Sequence, residues 1–289
     1  MIIERAYAKI NLFLDVCSLR ADGFHNVKTL MQSVSLCDEL HIDVTDSNTR
    51  NIELTVNGAE LSADADNLVY RAALAYLDAT DISAYVHVTL EKNIPIAAGL
   101  AGGSSDAAAT LRALNRYFGA LRDDELLSVA AQLGSDVPFC LVGGTALCEG
   151  RGEIMTPISG VSGIPLVIAI GDDRISTPRA FARLDELFSN FDGSVSTGSD
   201  GKLQQILTSL ETGDANLPGL FNIFETDIDK NAKSVSKIKA EMLKLGAKAA
   251  LMSGSGPSVF GVFDTDSDAD RAAKALCNIG FRAVHAATV

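Results

Sequence analysis

The sequence predicts a two-domain α+β protein, and three observations predict it. Its 289 residues exceed the usual size of one compact unit. Strand-like runs of period two crowd the first part, ahead of a block of helical patterns. A second series of strands and helices then begins after the glycine-rich stretch GGTALCEGRGE at 143–153, which places the domains at 1–155 and 156–289.

The elements follow in order. Residues 5–16, RAYAKINLFLDV, alternate, with Ala6, Ala8, Ile10, Leu12, Leu14 and Val16 on one face and Tyr7, Lys9, Asn11, Phe13 and Asp15 on the other. That pattern predicts a strand with one polar face. Similar runs predict strands at 31–36, 39–45, 51–56 and 84–90, separated by Gly, Asp and Asn. Helical spacing appears at 66–79, 104–118 and 123–133, with Gly119 as a stop signal after the second. The second series opens with the strand IPLVIAIG at 164–171 and helices near 178–188, 202–212 and 228–245. Strands near 248–252 and 258–263, a helix at 267–278 and a strand near 281–287 complete it. The segment 189–201, SNFDGSVSTGSDG, reads as a mobile surface loop.

Composition narrows the function. A 47% apolar and 21% charged chain with no long apolar run predicts a globular, water-soluble protein. The first residues lack a basic start, apolar middle and cleavage site, so the expected setting is cytoplasmic. Five cysteines and four histidines are scattered singly, which gives a metal cluster or disulfide scaffold little support. The net charge of −13 repels nucleic acid and anionic membranes, so any phosphate site must work locally.

Four stretches carry candidate chemistry. In GLAGGSSDAAAT, Gly99, Gly102 and Gly103 permit close backbone approach, and Ser104 or Ser105 is placed to cap the following helix. A helix start of this kind attracts anions, yet a sharp glycine turn explains the same residues equally well. Lys9 and Asn11 share a strand face, where a solvated lysine is the plain alternative. Asp136 in LGSDVPF has the position of a helix cap. MSGSGPSVFGVF at 252–263 has the form of a tight hairpin.

Together, AYAKINLFLDV, DGFH, PIAAGLAGGSSDAAA, LGSDVPF and MSGSGPSVF resemble the GHMP small-molecule kinase superfamily, in order and over nearly the whole chain. The resemblance implies a two-domain GHMP kinase fold, with a ribosomal-protein-S5-like N-terminal domain and a ferredoxin-like C-terminal domain and a cleft between them. Ala8-Lys9-Ile10-Asn11-Leu12, Asp22-Gly23-Phe24-His25 and Ser176-Thr177-Pro178 with Phe181 point to the branch of isoprenoid precursor biosynthesis. Its acceptor is a small-molecule, cytidylated methylerythritol phosphorylated at the 2-hydroxyl. ATP and Mg²⁺ are the cofactors this implies. The loop from Pro95 to Ala107, with Gly99, Leu100, Ala101, Gly102, Gly103, Ser104 and Ser105, would wrap the ATP phosphates, and Asn67 would lie near the adenosine. The resemblance makes Asp136 the base and Lys9 its partner, with Asn11 at the acceptor. Phe24, His25 and Phe181 would form the cytosine pocket, bordered by Thr177. Phe24 stands where the family commonly has tyrosine, and Met31 where it often has phenylalanine. The metal ligand stays unassigned, with Ser105 a guess. Rival readings are a kinase for homoserine or a mevalonate-type acceptor, and a nucleotide-binding sensor without catalysis.

Overall fold

The computed structural model describes residues 1–173, 175–188, 199–227 and 232–289. Residues 189–198 of the expected surface loop, and 228–231 of the expected helix 228–245, lie outside them. Two compact units divide the chain. The first comprises Met1–Lys9, Leu36–Ala97 and Ala101–Gly143; the second comprises Ile10–Ser35, Ala98–Leu100 and Gly144–Val289. The division falls inside two long strands, β1 (Ile2–Leu19) and β2 (His25–Asp46), which each give one part to either unit.

In the first unit, β2 pairs antiparallel with β4 (Ala84–Glu91), which pairs parallel with β3 (Asn51–Asn57); Val88 stands opposite both Ile42 and Leu54. Ala84, Val86, Val88 and Leu90 are buried while their neighbours are half-buried, the expected alternation of a strand with one core face. The strands expected at 31–36 and 39–45 are one strand. The break suggested by Cys37-Asp38-Glu39 fails because Asp38 is fully buried in an ion pair with Lys92. Four helices complete the unit: α1 (Leu68–Thr80), α2 (Gly102–Phe118), α3 (Asp123–Leu133) and α4 (Val137–Val142), with α2 touching the other three. Asn67 starts α1 by accepting from the Val69 N–H. Gly119, at φ 62°, ends α2 in the left-handed conformation that glycine adopts without strain.

The second unit holds a hairpin of β5 (Thr145–Glu149) and β6 (Ile154–Ile158), with β5 also paired to β2. Its four-stranded antiparallel sheet includes β7 (Pro165–Ile170) and has α5 (Thr177–Leu187) and α6 (Asp200–Thr212) following in sequence. β8 (Phe221–Asn222) pairs parallel with β1. α7 (Lys233–Lys244), β9 (Ala249–Met252), β10 (Ser258–Val262), α8 (Asp266–Asn278) and β11 (Arg282–Ala287) follow. The sheet order is β11-β7-β10-β9. Val167, Ala169 and Val259 meet Val235, Ile238 and Met242 of α7 and Ala272 and Leu276 of α8, so both helices cover one face. No helix of the described residues is long and apolar enough to cross a membrane.

β1 departs from its expected polar face. Every residue from Ala8 to Val16 is buried, Lys9, Asn11 and Asp15 included. Strand neighbours β2 and β8 flank β1 in the sheet order, and an interior strand covered on both faces must bury its polar residues with partners.

Candidate active site

The glycine-rich loop is built from alternating left-handed residues. Ala97 (φ 52°), Gly99 (φ 78°) and Ala101 (φ 56°) curl the main chain, a shape that gathers successive N–H groups toward one side. At Gly99 a Cβ would stand 2.2 Å from the Ser253 carbonyl oxygen, so only glycine fits there. The Ser253 hydroxyl donates to the Gly99 carbonyl at 2.9 Å and the Ser258 N–H to the Ala98 carbonyl at 3.2 Å. The turn 253–257, longer than the tight hairpin expected, therefore holds residues 98–100 in place. Asn222 braces that turn, its Nδ2 donating to Met252 and Gly254 carbonyls at 2.8 Å each.

α2 begins two residues before the expected Ser104, at Gly102, and has no side-chain cap. Its first main-chain bond runs from the Ser105 N–H to the Ala101 carbonyl at 2.9 Å, which leaves the N–H groups of Gly102, Gly103 and Ser104 without an acceptor in the helix. Ser105 does not cap. Its buried hydroxyl donates to the Tyr7 carbonyl at 2.6 Å and lies 3.3 Å from Cys140 Sγ, so it turns away from the loop and does not fit the guessed metal role. Burial pushes the Cys140 thiol up to about 12, which keeps it protonated and inert.

Lys9 and Asp136 meet in the first unit. The Lys9 ammonium stands 3.6 Å from Asp136 Oδ2, with side-chain exposures of 5% and 31%. The solvated-lysine alternative is thereby overturned. Asp136 occupies the cap position of α4, but its side chain makes no capping bond, which leaves the carboxylate to the lysine. A buried ammonium beside a part-exposed carboxylate orients that carboxylate towards open space, the geometry a proton acceptor needs.

The remaining candidates fall into two groups. His25 Nε2 lies 2.7 Å from Asp185 Oδ1, and its ring stacks on Phe181 at 4.9 Å between centroids and 21° between planes. Phe181 in turn meets Phe224 edge-on at 5.0 Å. Thr177 Oγ1 lies 2.8 Å from Ser255 Oγ at the start of α5. Along this helix Ile175, Ser176, Arg179, Arg183, Phe224 and Met252 border an open cavity of about 470 Å³. Phe24 directly precedes His25 in the chain. It is 53% exposed, with the Arg151 guanidinium 5.1 Å from its ring centroid.

Three other candidates are tied into the framework. Met31 is a buried β2 residue opposite Ala146. The Asn11 amide donates to Thr29 Oγ1 at 2.8 Å and accepts from the Gly254 N–H at 3.0 Å. Asn67 accepts from Val69 and donates to the Ser62 carbonyl at 2.8 Å. Sequence reasoning missed Asp185, Asn222 and the buried trio Asp38, Lys92 and Asp106. None of them left a local signal, since their partners lie far along the chain.

Among the described residues no group of three or more His, Cys, Asp or Glu is placed to hold a metal ion.

Two family models match the chain, GHMP kinases N terminal domain over residues 67–144 and GHMP kinases C terminal over 205–281. The chain belongs to the GHMP kinase family. Within this family it is 38% identical over 279 residues to the 4-diphosphocytidyl-2-C-methyl-D-erythritol kinase of Caldicellulosiruptor saccharolyticus, covering 95% of this chain and 92% of the relative. A kinase of the same name from Clostridium acetobutylicum is 34% identical, with 92% of each covered. The crystal structure of a 4-(cytidine 5'-diphospho)-2C-methyl-D-erythritol kinase superposes with a TM-score of 0.81 at 34% identity, over 99% of both chains. The homoserine kinase of Cytophaga hutchinsonii, at 20% identity, covers 99% of this chain and 94% of its own with a TM-score of 0.74, and shares the fold. The GHMP kinase fold expected from the motifs is therefore the fold observed.

Proposed function

We propose that this GHMP kinase is a 4-diphosphocytidyl-2-C-methyl-D-erythritol kinase, which transfers the γ-phosphoryl group of ATP to the 2-hydroxyl of its acceptor in non-mevalonate isoprenoid precursor synthesis. The acceptor follows from the relatives of that name, which match over nearly their whole length. The chemistry rests above all on one observation, the buried Lys9 ammonium 3.6 Å from the part-exposed Asp136 carboxylate.

Phosphoryl transfer asks a protein for positioning and charge stabilisation more than for covalent chemistry. The Asp136 carboxylate accepts the proton of the 2-hydroxyl as the oxygen–phosphorus bond forms. Lys9 orients that carboxylate and offsets charge that develops during transfer. The N–H groups of Gly102, Gly103 and Ser104 receive phosphate oxygens at the positive end of the α2 dipole, so no P-loop lysine is needed. Mg²⁺ would enter with ATP and would offset phosphate charge during transfer. The His25 and Phe181 pair supplies a flat face and a polar edge for cytosine. Five free, scattered cysteines suit the reducing cytoplasm where we place the enzyme.

The test is turnover of ATP with the cytidylated acceptor, the added phosphate located by mass spectrometry. Phosphate at the 2-hydroxyl is expected. Turnover of homoserine or mevalonate in its place would overturn the acceptor assignment and leave the family unchanged.

A further inference from the structure

Beneath the amino end of α2, three ionisable side chains meet out of water. Lys92, just after β4, donates from Nζ to Asp38 Oδ2 at 2.5 Å and to Asp106 Oδ2 at 2.9 Å, and none of the three side chains is more than 3% exposed. Asp38, within β2, accepts through Oδ1 from the main-chain N–H groups of Asn93 at 2.5 Å and Ile94 at 2.7 Å. Those residues lead into the glycine-rich loop. Asp106 lies one turn inside α2, the helix that the loop opens. The trio therefore ties the entry of the loop to its exit, and the Lys92 ammonium lies 3.1 Å from where a Gly102 Cβ would stand. The other Asp106 oxygen, Oδ1, is buried without a hydrogen-bond partner.

Two carboxylates here face one ammonium. If all three are ionised, one negative charge is left uncompensated in a dry site, which is unfavourable. A proton on the carboxylate pair removes that charge. We propose that Asp38, Lys92 and Asp106 are positioning residues for the phosphate loop, and that the trio binds ATP in its singly protonated, neutral form. The inference rests on reading 95–107 as the ATP loop. The groups facing Asp106 are Asp38 from β2 and Lys92 from the segment after β4. Burial first, and then the Asp38 charge, outweigh Lys92 and raise the Asp106 carboxyl to about 8. Losing the proton would set a net negative charge under the helix end that attracts phosphate, and would oppose its dipole.

The experiment measures the Kd of a non-hydrolysable ATP analogue from pH 7 to 9.5 in the wild type and in Asp106→Asn, which has the shape of the protonated side chain. In the wild type Kd should rise by roughly tenfold or more over this range, and in Asp106→Asn it should stay level. A flat wild-type profile, or an equal rise in Asp106→Asn, overturns the proposal. A second measurement needs no variant. Calorimetry at pH 8.5 in buffers of different ionisation enthalpy should show proton uptake of up to about one per nucleotide bound. Binding with no uptake overturns this inference alone, whereas no binding at all overturns the ATP-loop reading with it.

Discussion

The Lys9 ammonium and the Asp136 carboxylate stand 3.6 Å apart, the first buried in a strand and the second at the unsealed start of a short helix. Asp136 makes no capping bond to its own helix, which sets it apart from Asn67. Asp136→Asn should reduce kcat by about 100-fold or more while the ATP analogue binds with unchanged Kd. A variant within a few fold of wild type in steady-state kinetics would remove Asp136 from the base role.

Two glycines of the loop should respond in opposite ways. Gly99→Ala forces a Cβ toward the Ser253 carbonyl at a φ of +78°, and should lower stability by about 2 kcal/mol and weaken nucleotide binding. Gly103 has ordinary helical geometry, with only Leu68 Cδ1 at 3.4 Å, so Gly103→Ala should be neutral or slightly stabilising. Urea denaturation of the pair checks the contrast; equal losses would show that the 2.2 Å approach is not what constrains Gly99.

Base selection should depend on Asp185 through His25. The carboxylate fixes the ring that stacks on Phe181, and cytosine and uracil present opposite donor and acceptor patterns to it. Preference for the cytidine over the uridine acceptor should be about 30- to 1000-fold in kcat/KM, and Asp185→Ala should shrink it by about tenfold. Undiminished preference in that variant would assign base reading to the main chain.

Asp106 also links stability to pH. Its carboxyl titrates near 3.8 when unfolded and at about 8 when folded, so the folded form holds the proton more tightly. Stability from this group is full below the unfolded value and is lost as pH rises toward the folded one. Asp106→Asn carries no such loss, so its stability relative to wild type should increase from pH 4 to 8 and level off above. Urea midpoints at pH 5 and 8 read this directly, and a constant difference would count against the shift.

Legibility in the sequence followed the range of the interactions. Period-two and helical spacing located β3, β4, α1 and α3 to within a few residues, because each buries one face. β1 defeated the same rule: alternation describes a strand with one wet side, and Lys9, Asn11 and Asp15 lie on a covered one. α4, six residues long, is too short to show a period, and the glycines and charges around β5 and β6 disguised a hairpin. The Asp38–Lys92–Asp106 trio joins residues 54 and 14 positions apart, a distance at which local patterns carry no information. Motif order made the family recognisable, but it did not reveal that Ser105 faces inward.

The second unit closes on itself across the chain: Val34 bridges Thr288, and the Val289 N–H donates to the Ser33 carbonyl at 3.0 Å. A ribosome that has released residue 34 must add residues for roughly 10–50 s before its partner exists. Through that interval the edge of β2 waits, with the hydrogen-bonding groups of an unfinished sheet open to any other chain nearby. Expression at lower temperature lengthens the wait and also weakens hydrophobic association. The yield of folded enzyme should therefore depend on translation speed and on chaperones that shield nascent strands.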